Sequence, residues 1–232
     1  MKVSVLIPAH NEEQNIQQTI QGVHKIPRHL APALDWEIIV IDDGSSDNTL
    51  AQAARCQVQT LRLDRNMGKG GALRHGLQQA DGDIIVFLDA DLRQSAAEAH
   101  KLISPLLDNR ADVTIARFKP TTKPGGFGLV KALAASGVKY FTGQNLTAVL
   151  SGQRAFKRRV LESIGPIPDG FSLEVGMLID ILTGGYHVLE VDVDMEHDVT
   201  GRNWHGFIHR GTQFADILKL LLKKLKERRI SA

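Results

Sequence analysis

The sequence predicts an α/β protein built on a mostly parallel, doubly wound sheet with helices on both faces, and three observations carry that expectation. Short apolar, β-branched runs recur at residues 3–7, 37–41, 58–63 and 83–88, each fitted to burial on both faces as parallel strands are. Helical spacing fills the gaps between them: Ile16, Ile20 and Val23 in the first, and Ala72, Leu73, Gly76, Leu77 and Ala80 in the third. Polar or glycine-rich clusters follow each run directly. Alternation of strand and helix is the mark of a parallel sheet.

The elements continue in order. A helix is expected near residues 96–107 with Ser95 signalling its start, followed by a fifth strand at 112–116. Residues 118–128 hold two prolines and three glycines among lysines and threonines, a composition that predicts a lid-like loop. Val175, Leu178, Ile179 and Leu182 mark a helix ended by Gly184-Gly185, and residues 186–193 alternate as a strand. Domain expectations are a single catalytic domain over 1–206 and a basic amphipathic C-terminal helix over 207–232.

Composition narrows the function classes. Over 232 residues, 43% hydrophobic and 23% charged residues describe a globular chain with a sizeable core. A single cysteine allows no internal disulfide and points to a reducing, cytoplasmic setting. The first apolar run is too short for a signal peptide, and no window approaches the ~18 apolar residues that span a bilayer. Residues 219–229 carry a net +5, which leaves −3 on the rest of a chain whose total is +2. That balance excludes a nucleic-acid groove over the main body.

In an open parallel sheet the ligand lies beyond the carboxyl ends of the strands. Here those ends read Pro8-Ala9-His10-Asn11-Glu12, Asp42-Asp43-Gly44-Ser45-Ser46-Asp47, Asp64-Arg65-Asn66-Met67-Gly68-Lys69-Gly70 and Asp89-Ala90-Asp91. Asp89 and Asp91, two apart on extended chain, project to one side with Cα atoms roughly 7 Å apart, so one hard cation, magnesium or manganese, can bridge them. An isolated Asp-x-Asp is more often a pair of solvated loop acids; its place after a buried strand reverses the odds. Gly68-Lys69-Gly70-Gly71 fits neither the dinucleotide fingerprint, which follows the first strand, nor a P-loop, which needs Ser or Thr where Gly70 stands. Its use is close backbone approach to a phosphate-bearing ligand, with Lys69 supplying charge.

Taken as a series, these clusters, with Arg65-Asn66-x-Gly68-Lys69-Gly70-x-Ala72-x-Arg74-x-Gly76, resemble the family 2 glycosyltransferases of GT-A fold. Ser151-Gly152-Gln153-Arg154-Ala155 is similar to a stretch of the polyprenyl (dolichyl) phosphate sugar synthases within that family. The resemblance implies a UDP- or GDP-sugar donor whose nucleoside is held by Pro8, His10, Asn11, Glu12 and Asp43, with Lys69, Asp89 and Ala90 completing the donor site. It further implies Asp91 as the main metal ligand, Asp89 on ribose or metal, and inversion at the sugar. Two departures stand out: Arg93 occupies the position where the synthases often carry glutamine, and the tail is not expected to form the transmembrane hairpins that some of those synthases append. His197, in an acidic turn after the last strand, is a candidate metal ligand.

The acceptor reading leaves two branches. A hydroxyl acceptor needs a general base, for which Glu174 is the candidate. A phosphate acceptor is already anionic and would be held by Arg117, Ser151 and Arg154; the Ser151–Arg154 match favours this branch. The C-terminal helix sets Phe214, Ile217, Leu218, Leu221, Leu222 and Leu225 against lysines, a pattern that serves docking on a membrane surface or packing on the domain or a second subunit equally. Rival classes are a sugar-1-phosphate nucleotidyltransferase, which would place a glycine-rich loop after the first strand where Pro8 to Asn11 stands, and a degenerate nucleotide-binding module, against which the paired Asp89 and Asp91 count.

Overall fold

The computed structural model describes residues 1–26, 34–119, 128–168, 170–196 and 204–230. Seven strands form one sheet: β1 (Lys2–Ala9), β2 (Asp35–Asp42), β3 (Gln59–Arg62), β4 (Ile84–Phe87), β5 (Val113–Phe118), β6 (Arg154–Lys157) and β7 (Val188–Val193), in the spatial order β3-β2-β1-β4-β6-β5-β7. β1 pairs in parallel with β2 and β4, β2 with β3, and β5 with β7. Only β6 runs antiparallel, wedged between β4 and β5. The reversal matters for function. The residues leading into β6, rather than those leaving it, arrive at the edge where the parallel strands end.

Alternation along β1 divides the core. Val3, Val5 and Ile7 face one layer, where α1 (Ile16–His24) and α4 (His100–Leu107) bring Ile16, Ile20, Leu102 and Ile103. Leu6 faces the other, with α3 (Gly68–Gln79), α5 (Leu129–Thr142) and α7 (Leu173–Thr183). Two short helices, α2 (Thr49–Ala54) and α6 (Arg158–Ser163), complete the connections. Ridge and groove meet closely where Gly76 of α3 lies over β2, since a Cβ there would sit 2.7 Å from Ile41 Cδ1. Gly76→Val is therefore expected to lower unfolding stability by about 1–3 kcal/mol through overpacking; an unchanged urea midpoint would count against this contact.

Several sequence expectations change in detail. The helix expected near 96–107 is a 3-10 segment over Arg93–Ala99 running into α4, and Ser95 bonds the Leu92 carbonyl inside that segment instead of capping a helix. β3 is half-exposed at the sheet edge, not buried on both faces. The long C-terminal helix α8 (Trp204–Ile230) starts before residue 207, so the expected boundary falls inside it. Ile217 and Leu221 are buried, Leu221 against Gly137 of α5, and Lys224 pairs with Asp180 of α7 at 2.5 Å. Phe214, Leu218 and Leu222, expected on the same apolar stripe, lie exposed. A helix packed by one flank explains the split. Among the described residues no helix is long and apolar enough to cross a membrane.

Candidate active site

The carboxyl ends of β1 and β2 are stapled together by side chains that the polar clusters supply. The His10 ring contacts the Asp43 carbonyl through Nδ1 at 2.9 Å, Asn11 N–H donates to Ser45 Oγ, Ser46 N–H to Asn11 Oδ1 and Glu12 N–H to Thr49 Oγ1. Asp43, 3% exposed, accepts from Met67 N–H at 2.7 Å and so ties in the turn before α3. Asn11 sits at φ +58°, a left-handed conformation that asparagine tolerates well. These bonds hold three loops rigid at one edge.

Between them opens a cavity of about 270 Å³ lined by Pro8, Ala9, His10, Glu12, Asp43, Lys69, Asp89, Ala90 and Asp91. Every residue expected at the donor site except Asn11 lines it. Arg93, the departure from the synthase pattern, donates from Nε to Asn15 Oδ1, and Asn15 Nδ2 donates to Glu12 Oε2 at 2.8 Å. The arginine thus braces the Asn15 side chain that holds the Glu12 carboxylate.

A second cavity of about 290 Å³ shares Asp89 as a common wall and is lined also by Arg117, Phe118, Lys131, Thr147, Ser151, Gly152 and Gln153. Arg117, 45% exposed, holds Asp192 through two bonds of 2.6 and 2.7 Å, with Glu190 at 3.7 Å. Asp192 is the principal cause that raises the Arg117 pKa. Ser151 Oγ donates to Gln153 Oε1, and Gln153, 2% exposed, donates from Nε2 to Asp89 Oδ2 at 2.6 Å.

Lys69 stands at the junction, 2.5 Å from Asp89 Oδ1 and 3.5 Å from Glu174 Oε1. Burial works to lower its pKa, but Asp89 and then Glu174 outweigh burial, and the net direction is upward. Lys69 is therefore a cation throughout the ordinary range. Glu174, in the first turn of α7, lines neither cavity and bears on the site through this lysine.

Arg154 corrects the sequence reading. It is 1% exposed, and its Nε, Nη1 and Nη2 donate to the carbonyls of Ser151, Glu174 and Val149 at 2.8–3.0 Å. A guanidinium so spent does not reach an acceptor phosphate. Burial pulls its pKa down, to about 10, against the opposing pull of Glu174; it stays charged at neutral pH and clamps the strand-entry loop to α7. The cation that does line the second cavity with Arg117 is Lys131 on α5, which sequence reasoning missed.

The donor set fits a divalent cation shared with a ligand. Magnesium commonly takes one or two carboxylates, with phosphate oxygens and water completing its shell. Asp91 and Asp89 line one wall, and among the described residues no group of three His, Cys, Asp or Glu side chains is placed to hold a metal without such help. Asp89 receives Lys69 and Gln153 on its two oxygens. His197 and residues 120–127 of the expected lid lie outside the described residues.

Against this geometry, the family model "Glycosyl transferase family 2" matches residues 4–165. The chain belongs to glycosyl transferase family 2. It is 28% identical over 213 residues to the dolichol-phosphate mannosyltransferase of Pyrococcus furiosus, covering 87% of this chain and 58% of that protein. It is 39% identical over 109 residues to the undecaprenyl-phosphate 4-deoxy-4-formamido-L-arabinose transferase of Proteus mirabilis, covering 44% and 33% of the two chains. This family 2 chain spans between a third and three fifths of the length of these curated relatives. Its fold is that of GT-A proteins: glucosyl-3-phosphoglycerate synthase from Mycobacterium tuberculosis, solved with Mn2+, UDP and phosphoglyceric acid, superposes with a TM-score of 0.77 at 26% identity over 96% of this chain and 78% of that one.

Proposed function

We propose that the chain is a metal-assisted glycosyltransferase that moves a sugar from a UDP- or GDP-sugar to an acceptor carrying a phosphate, polyprenyl phosphate foremost. The observation that carries this reading is the pair of cavities divided by Asp89, one edged by the loops after β1 and β2 and the Asp89/Asp91 pair, the other by two cations, Arg117 and Lys131. A nucleoside diphosphate suits the first cavity together with a divalent cation, which offsets the acids Glu12, Asp43, Asp89 and Asp91 that line it beside Lys69. An anionic acceptor fits the second. The relatives named for dolichol phosphate and undecaprenyl phosphate support the lipid-linked form, and the structural neighbour holding phosphoglyceric acid supports a phosphate-bearing acceptor more generally.

In the proposed reaction an acceptor phosphate oxygen attacks the anomeric carbon in line, the bond from that carbon to the diphosphate breaks, and the sugar inverts. No proton need be removed from such an acceptor. A cation bound at Asp91 and Asp89 would supply Lewis-acid neutralisation of the leaving diphosphate. Lys69 adds charge there, Arg117 and Lys131 orient the acceptor phosphate with help from Ser151, and Glu12 and Asp43 position the nucleoside. Transfer to a neutral sugar hydroxyl, with Glu174 as base, is the second reading; the distance of 3.5 Å from Glu174 to the Lys69 ammonium ties that carboxylate to another partner and weighs against it.

The test is ligand-linked melting together with turnover. A matching nucleotide sugar at about one hundred times its Kd, with manganese, stabilises by about 2.7 kcal/mol, which raises Tm by roughly 5–10 °C in a chain of this size. Chelator should remove the shift and the transfer to polyprenyl phosphate together. Transfer at full rate in excess chelator, or no shift with any UDP- or GDP-sugar, overturns the proposal.

A further inference from the structure

Lys69 lines the donor cavity and sits on one oxygen of Asp89, the residue common to both cavities, and the surroundings hold it there. Its ammonium lies 2.5 Å from Asp89 Oδ1, while Gln153 occupies Oδ2 at 2.6 Å. Glu174 Oε1 approaches the same ammonium from α7 at 3.5 Å. The backbone of Gly152 walls the remaining side so closely that a Cβ there would overlap Lys69 Nζ and lie 3.3–3.4 Å from both Asp89 oxygens. Yet the pair is open to ligand, with side-chain exposures of 30% for Lys69 and 35% for Asp89.

We infer that Lys69 is a resident counter-cation of Asp89, displaced from it when a divalent cation and a donor diphosphate bind, so that cation entry and lysine release are one exchange. The inference rests on the nucleotide-sugar reading of this cavity and adds a step to it. The reason is electrostatic. Two carboxylates, Asp89 and Glu174, share one ammonium, and a second cation brought within about 4 Å of that ammonium repels it. The lysine is the member free to move, since its head is a compact charge with three donors on a flexible four-carbon stem. A diphosphate in the same cavity offers the new partner. Lys69 thus offsets part of the carboxylates' charge before the donor arrives and keeps bare metal from binding tightly without it.

Manganese alone, titrated into the nucleotide-free full chain and read from the paramagnetic signal of the free ion, tests this without any turnover. Lys69→Met should bind manganese about tenfold more tightly than the native chain, a difference of about 1.4 kcal/mol, and bind UDP or GDP in manganese more weakly. Gly152→Ala, which keeps every charge but crowds the ammonium off Asp89, should also tighten manganese. The native chain provides a measurement independent of any variant's folding. Acylation of the Lys69 amine, followed by mass spectrometry, should speed up several-fold when manganese saturates the site and slow again when UDP or GDP is added. Unchanged Lys69 labelling on manganese saturation, or manganese binding no tighter in Lys69→Met, overturns the exchange. Nucleotide-sugar melting shifts in the native chain report separately on the reading beneath it.

Discussion

Asp91→Asn is expected to lower sugar transfer by about three powers of ten or more while leaving the melting temperature within a few degrees of native. The magnitude follows from the chemistry proposed for the leaving group. Neutralising a departing diphosphate by a bound cation contributes several kcal/mol to the transition state, and each 1.36 kcal/mol is about a factor of ten in rate. Asparagine keeps the shape of the aspartate but loses the charge that a hard cation requires. Asp89 alone does not make up the loss, because a single carboxylate with Gln153 still on one of its oxygens would then hold the cation in place of two. Asp91 lines the donor cavity, and asparagine keeps its size and shape there, so the fold should survive the change. Manganese affinity and transfer to polyprenyl phosphate, measured on the same preparation, should fall together. A variant that transfers at near-native rate would remove Asp91 from the metal site and the metal from the proposed reaction.

Much of the donor edge was legible because parallel strands expose their carboxyl ends to one side, and the polar clusters after β1, β2, β3 and β4 could be read directly as lining. His10, Glu12, Asp43, Lys69, Asp89 and Asp91 all arrive there. The acceptor edge was harder for a definite reason. β6 has only four residues and runs antiparallel, so its functional residues precede the strand, and nothing in a four-residue apolar run announces its direction. Gln153 and Gly152 were quoted only as parts of a motif, although their positions next to Asp89 give them their roles. Lys131 lies on α5, whose apolar pattern follows the proline- and glycine-rich stretch and was not read as a helix. A lysine in its first turn was the available signal. The C-terminal stripe was read as one face, whereas packing by a single flank buries Ile217 and Leu221 and leaves Phe214, Leu218 and Leu222 outside.

Arg154 shows most directly what residue type cannot reveal, and it yields the largest expected effect on stability. An arginine beside a serine in a sugar-transferase motif reads as a phosphate ligand, but at the first position of β6 its side chain enters the core and donates to three carbonyls. Replacing it with methionine removes the charge-assisted bonds and leaves those carbonyls buried without their donor. Each buried orphan costs about 1–3 kcal/mol, and dismantling such a network places the total near 3–5 kcal/mol. For a chain of this length that is a fall of roughly 10 °C in Tm. Arg154→Lys should recover little, since one ammonium cannot span carbonyls from Val149, Ser151 and Glu174 in the fixed fork of a guanidinium. Arg117→Met and Lys131→Met are expected to behave oppositely. Arg117 is itself 45% exposed and its close partner Asp192 is 66% exposed, a pairing that adds little to stability, so melting should stay near native while the acceptor KM rises about tenfold and donor binding holds. Should Arg154→Met melt like the native chain and raise the acceptor KM instead, the guanidinium would belong to the acceptor and the clamp between the β6 entry and α7 would be wrong.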